Sequence, residues 1–287
     1  MKFISEIKAY GALSSEQKSF VKAKTLEGDS TPDEWLSFFA KVAEFDAYVD
    51  TGRKSLKFGC VATVIMFAAG IFLAAFVGPI LLLLAVLCAI LLGLTAYVQS
   101  RVDLPNNFRE LAFPLVSILK EEMEPNEQLF LKLDLRGKKL AEKENVAARN
   151  HTARGDDRFY EDPWMAGRAM LADGSRLELN VVDYVRERKR TRRSASGKTK
   201  TKTKHKIKTV IEARLSLRNK DYAAIQAATP DAKTDRTDIK TGESRNTIIL
   251  KRVIVSTDLE TVLDLGHILD AIGRCYARVS MNNPGNK

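Results

Sequence analysis

Asp156, Asp157, Glu161 and Asp162 lie close together in the chain, and carboxylates so clustered can hold a divalent cation or serve as general acid and base. Their spacing fits no EF-hand loop, and a solvated polar loop has the same composition. The histidines, His151, His205 and His267, fall in three different segments. His267 has Asp264 and Asp270 at helical spacing, which describes a surface histidine flanked by acids better than a catalytic pair lacking a third partner. Gly197-Lys198-Thr199 ends like a phosphate-binding loop, but that motif needs glycine five residues earlier, where Arg192 stands. GxSxG, HExxH and GxGxxG are absent, and Cys60, Cys88 and Cys275 form neither a CxxC nor a disulfide framework. The sequence therefore assigns no catalytic residue, metal or cofactor. An enzyme using residues 154–163 with His151 or His267 stays as the alternative.

The densest chemistry is cationic. Arg186, Arg188, Lys189, Arg190, Arg192, Arg193, Lys198, Lys200, Lys202, Lys204, Lys206 and Lys208 crowd one segment that contains a single acid, Glu187. Formal net charge of the whole chain is +10, so this segment accounts for all of it. Leu177, Leu179, Val181 and Val185 are odd-numbered, as are Ile207, Ile211, Leu215 and Leu217. One apolar face requires Val181 opposite Ile211 and Leu177 opposite Leu215, with a turn centred on Ser196. Continued outward, that register opposes Arg192 to Lys200, Arg190 to Lys202, Arg188 to Lys204 and Arg186 to Lys206. Directly opposed like charges are destabilising by tenths of a kcal/mol to about 1 kcal/mol per pair. The reading predicts a ribbon that projects from its domain, with a tip either shifted by a bulge or held open until an anion neutralises it. A solvated loop with no partner is the plain reading of such a segment; among partners lipid headgroups lead and an acidic protein comes second. Nucleic acid ranks lower, since no aromatic residue lies between Arg186 and Lys208 to stack a base.

What positions this ribbon is set by the run Phe58 to Ser100, which carries no charge and is bounded by Lys57 and Arg101. A bilayer core takes roughly 20 helical residues, so the run is about twice one span. Val77-Gly78-Pro79 is its one strong break, and the reading is a two-span α-helical hairpin. Arg53, Lys54 and Lys57 precede it and Arg101 and Arg109 follow, which places both termini in the cytoplasm and the protein in the plasma (inner) membrane. Small residues Gly70, Ala74, Ala85, Ala89 and Gly93 recur at four-residue spacing and would let the spans approach. With no ionisable residue inside, the hairpin reads as an anchor and not as a transport path. No cleavable signal peptide is visible.

Residues 1–56 read as a cytoplasmic helical segment. One helix spans roughly Ser14 to Leu26. A second opens on Thr31-Pro32-Asp33-Glu34 and carries an apolar stripe of Trp35, Leu36, Phe38, Phe39, Val42, Phe45 and Tyr48. That stripe must be buried against the later soluble domain, the membrane surface or a second copy of the chain; a packed cytoplasmic helix is the plain reading, and the second copy would give a homo-oligomer. Beyond the hairpin (57–101), residues 102–125 predict a connecting helix broken at Pro114. Residues 126–281 predict a cytoplasmic α+β domain with an antiparallel sheet, closed by an amphipathic helix opening at Thr257, before a tail at 282–287. Residues 138–163 and 229–246 read as loops. A strand-rich domain closed by one such helix resembles the layout of pleckstrin-homology-like domains, an analogy of architecture that no motif carries. The function expected is a membrane-anchored, non-enzymatic binding or scaffolding protein. An assembly subunit is a further reading.

Overall fold

The computed structural model describes residues 2–72, 78–152, 155–194, 197–225 and 235–281. The chain divides into two units, Met1–Ala23 with Ser37–Pro105 and Lys24–Leu36 with Asn106–Lys287.

The first unit is helical: α1 (Lys2–Ala12), α2 (Ser15–Ala23), most of α3 (Pro32–Phe72) and α4 (Gly78–Val102). Thr31 and Glu34 form the expected reciprocal cap at the start of α3, the Thr31 N–H donating to the Glu34 carboxylate at 3.0 Å. No proline follows before Phe72, so α3 continues straight through the boundary expected near residue 57. Its stripe is buried by rings from the shorter helices. Phe20 of α2 lies 6.0 Å from Phe38 and 6.5 Å from Phe39, and Tyr10 of α1 lies 5.5 Å from Phe45. The first predicted helix stops at Ala23 because Lys24 takes φ 57°, a left-handed conformation that ends a helix.

Helices α3 and α4 run antiparallel. Asp46 accepts a bond from the Leu104 N–H at 3.1 Å, Arg53 pairs with Asp103 at 2.6 Å, and a Cβ on Gly59 would meet a Leu92 methyl at 3.0 Å. The expectation of two spans is reduced here. Among the described residues one stretch, Leu82–Val102, is long and apolar enough to cross a membrane, and the described part of the charge-free run on α3 ends at Phe72. Gly78 and Pro79 of the expected turn open α4, where a missing proline N–H costs nothing. Val77 and Ala74 lie outside the described residues. Gly70 belongs to α3, Ala85 is buried, and Ala89 and Gly93 are exposed on α4.

The second unit is α+β. Its sheet comprises β1 (Thr25–Ser30), β2 (Leu129–Asp134), β3 (Asn150–Thr152), β4 (Gly155–Met170), β5 (Arg176–Arg193), β6 (Thr199–Arg218), β8 (Asp235–Lys240) and β9 (Arg245–Ser256), counting β7 (Tyr222–Ile225) as a separate element. All eight strands are antiparallel, in the order β1-β2-β4-β5-β6-β9-β8 with β3 on β4, and β7 pairs apart with β10 (Val279–Met281). One face is apolar. Leu115, Val116 and Leu119 of α5 (Phe113–Glu121) line a small cavity with Leu129, Leu131, Met165, Leu177 and Leu179. Further along the face, α6 (Leu265–Tyr276) brings Cys275 to the Ala213 carbonyl, and burial pushes that thiol up to about 12. The other face is polar, with Glu178 to Arg214 and Glu212 to Lys251 as cross-strand ion pairs.

Several local expectations change. Residues 155–163 are not loop but the first half of β4, which bulges between Pro163 and Met165 because proline cannot donate to the ladder. Residues 235–240 are strand β8. Before Pro114 the chain takes one wide π-helical turn, Phe108–Ala112, and then resumes as α5. The terminal helix opens at Leu265, capped by Asp264, instead of at Thr257. The Ser256 hydroxyl accepts from the Asp258 N–H and bonds the Thr261 hydroxyl, so those polar residues make a turn.

Candidate functional site

The strands β5 and β6 form one continuous ribbon from Arg176↔Ser216 to Arg193↔Thr199 without a bulge. Val181 faces Ile211 and Leu177 faces Leu215, the register that the apolar alternation demands. The four cationic pairs therefore stand directly opposed: Arg186–Lys206, Arg188–Lys204, Arg190–Lys202 and Arg192–Lys200. Alternation places all eight of these side chains on the face opposite the apolar core.

A third strand, and neither a bulge nor an opening, resolves the conflict. β4 extends alongside β5 as far as Gly155↔Arg190, and Asp157 sits opposite Arg188. The Asp157 carboxylate lies 2.6 Å from Arg186, 2.8 Å from Arg190 and 3.5 Å from Arg188, with only 4% of its side chain exposed. Burial pushes this carboxyl up, but the bonds from Arg186 and Arg190 outweigh it and hold Asp157 below the ordinary range. Gly155 is required by the same contact: a Cβ there would collide with the Lys189 carbonyl and the Arg190 guanidinium. Arg186 also lies over the Phe159 ring, 5.6 Å from its centre.

On the ribbon's other face Glu187 is tied to Lys139 at 2.6 Å and to His205, its cross-strand partner, at 3.1 Å. The Thr191 and Thr201 hydroxyls bond each other at 3.1 Å. Arg193 donates to the Gly197 carbonyl in the terminal turn. Among the described residues no acid pairs with Lys189, Arg192, Arg193, Lys198, Lys200, Lys202, Lys204, Lys206 or Lys208, and all nine are exposed. The β9 strand leaves β6 at Ile207↔Ser256, so the lysine arm has no neighbour on that side beyond Ile207 among the described residues. The chemistry is a mainly one-sided cationic surface: Arg186, Arg188 and Arg190 share Asp157 at its base, and the lysines of β6 have no acid partner among the described residues.

The acidic group is divided by the pleat of β4. Asp157 lies on the cationic face and Asp162, five residues on, lies on the core face. Asp156 is bound by Arg149 at 3.0 Å and Arg158 at 2.9 Å, with His151 at 3.5 Å. Glu161 accepts from the Tyr184 hydroxyl. The backbone carbonyl of His267 on α6 accepts from Arg252. The acids are thus engaged separately, and among the described residues no group of three His, Cys, Asp or Glu side chains is placed to hold a metal ion. Compared with protein-family models, curated proteins and solved structures, the chain matches none.

One polar centre has no counterpart in the sequence reading. Lys143, with 6% of its side chain exposed, donates to Asp162 at 2.6 Å, lies 3.1 Å from Asp134 and bonds the Gly137 carbonyl. Asp162 stands cross-strand from Asp183, which pairs with Lys138 at 2.9 Å and accepts from Thr209. Burial, reinforced by the Asp183 and Asp134 charges, outweighs Lys143 and pushes Asp162 up to about 6. Against burial, Arg136 and Lys143 hold Asp134 at about 2. Because Asp162 binds its proton more tightly folded than unfolded, its contribution to stability falls as pH rises from about 4 to 6. Asp162→Asn should therefore gain on the parent protein by about 1–2 kcal/mol between acid and neutral pH, less than the full shift implies because Lys143 loses a partner. Urea unfolding followed at the buried Trp35 and Trp164 measures this, and parallel curves at both pH values would refute it.

Proposed function

We propose that this chain is a membrane-anchored, non-enzymatic binding or scaffolding protein whose basic β-ribbon engages lipid headgroups of the cytoplasmic leaflet. The carrying observation is the one-sided ribbon, with its outer lysines exposed and unpaired among the described residues. Each basic residue near an anionic surface contributes about 1 kcal/mol, so a few lysines acting together give useful affinity.

Anchoring through the helix pair is supported by what α3 and α4 leave uncovered. Phe58 is 79% exposed, Val64 68%, Leu83 72% and Ile90 55%, and only 11% of the apolar stretch of α4 is buried. The core helix of a water-soluble domain hides such residues, whereas lipid solvates them. In this reading the apolar stretch of α4 enters the bilayer, with Arg101 at its cytoplasmic border. The stripe on α3 is already buried within one chain, which weakens its use as an oligomer contact, although Tyr48 remains 39% exposed.

The test places the full chain in nanodiscs of phosphatidylcholine, with or without phosphatidylserine, and follows trypsin cleavage at Lys200 to Lys206. Cleavage should slow several-fold on the anionic bilayer and recover in high salt. Equal cleavage on both bilayers would remove lipid headgroups as the partner and leave an acidic protein as the next reading.

A further inference from the structure

The helical unit contains a groove of about 600 Å³, within the size range of small-molecule sites. Its walls are apolar: Ile7 of α1, Phe45 of α3, and Val98 and Val102 of α4. Tyr10 and Tyr97 flank them, and two cations, Lys22 of α2 and Arg101, complete the lining without any acid. Arg101 is the residue that ends the charge-free run, so the groove opens at the last turn of the apolar helix. Its guanidinium stacks on the Tyr97 ring at 4.8 Å, which orients it, and among the described residues neither Arg101 nor Lys22 pairs with a carboxylate. Ile7, Tyr97 and Val98 are each more than half exposed.

A hydrocarbon slot beside two unpaired cations, at the end of a bilayer-length helix, is complementary to one class of molecule. We propose that this groove holds one anionic phospholipid, an acyl chain lying along Ile7, Phe45 and Val98 and the phosphate between Lys22 and Arg101. Tyrosine and arginine are the side chains that favour this depth, each with an apolar body and a polar tip. The site rests on the reading of α4 as a membrane helix and is independent of the ribbon.

Native mass spectrometry of the full chain, reconstituted with equal phosphatidylglycerol and phosphatidylcholine and then released, tests it. The parent protein should retain one phosphatidylglycerol per chain in preference to phosphatidylcholine. Retention should fall about tenfold in the Lys22→Gln, Arg101→Gln double variant, as the loss of two interfacial cations implies. Val98→Trp, which fills the groove and keeps both charges, should lose the lipid as well, while Lys200→Gln, Lys202→Gln on the ribbon should keep it. Equal retention of the two lipids, or retention unchanged in both groove variants, would overturn the site. Alkaline extraction of native membranes separates the two levels. A chain released by alkali removes the anchor and the site with it, whereas a chain that stays in the membrane but shows no lipid preference removes the site alone.

Discussion

Lys143→Met is expected to destabilise the sheet domain by about 3–5 kcal/mol, the scale for removing one partner from a buried ion pair. The magnitude follows from what the ammonium group does. It joins Asp162 to Asp134, with Asp183 cross-strand from Asp162, and both it and Asp162 are almost wholly withdrawn from water. Methionine fills a similar volume and leaves three carboxylates together, with Arg136 on Asp134 and Lys138 on Asp183 as the direct cationic partners among the described residues. At least one of the acids should then keep its proton to a higher pH than in the parent protein. A folded state that binds protons more tightly than the unfolded chain loses stability as pH rises, so the defect should be worst above neutrality and partly relieved near pH 5. Unfolding curves read from Trp35 and Trp164 at the two pH values provide the check. A defect under about 1 kcal/mol, the scale of an exposed pair, would show that the centre is not a buried one.

The second large effect is expected at Asp157. Asp157→Asn keeps the shape but removes the charge shared by Arg186, Arg188 and Arg190, all of which stand opposite lysines. Loss of charge-assisted bonds to a buried carboxylate costs about 2–4 kcal/mol, and here the repulsion it screened is added. The lost energy should appear locally, as rapid amide exchange over residues 186–206 with β2 and β9 still protected. It should also carry a pH signature in the parent protein. A carboxyl held below its ordinary value contributes stability above the unfolded value and loses it as pH falls, so the ribbon should loosen on acidification before the rest of the sheet. Exchange that rises uniformly across the sheet, or not at all, would contradict the clamp.

These two residues also mark how far the sequence could be read. The ribbon's register was legible because apolar residues recur at odd positions on both arms, interrupted at Asp183 and Thr209. A one-residue slip would expose every one of them. The clamp was not legible, because it depends on β4, whose first half is too polar and too short of alternation to look like a strand. Arg158, Asp156 and Asp157 read as loop until the partners Arg149, Arg186 and Arg190 are in place. The lysine centre left one trace. Asp183 occupies the core phase of β5, between Val181 and Val185, and a charge in an apolar series implies a buried partner. Nothing in the sequence pointed to Lys143 as part of that arrangement, since it ends a single short helical turn, Ala141–Lys143, in a polar segment without periodicity. The start of α3 was set by its capping box, whereas its length was not, since a helix with nothing to stop it runs on regardless of where the composition changes.

The strand order has a consequence for how the chain is made. β1 ends at Ser30, and β2, its one neighbour in the sheet among the described residues, begins at Leu129. The whole apolar helix pair is therefore an insertion between two adjacent strands. During synthesis β1 leaves the ribosome first and waits unpaired while the apolar run is delivered to its own solvent, and only then does its partner arrive. The last sheet bond on that edge is a long loop closure whose entropy is reduced once the helices have paired. Chain cleavage within α3 or α4 would leave the two fragments joined through β1 and β2, so an intact sheet does not by itself certify an intact chain.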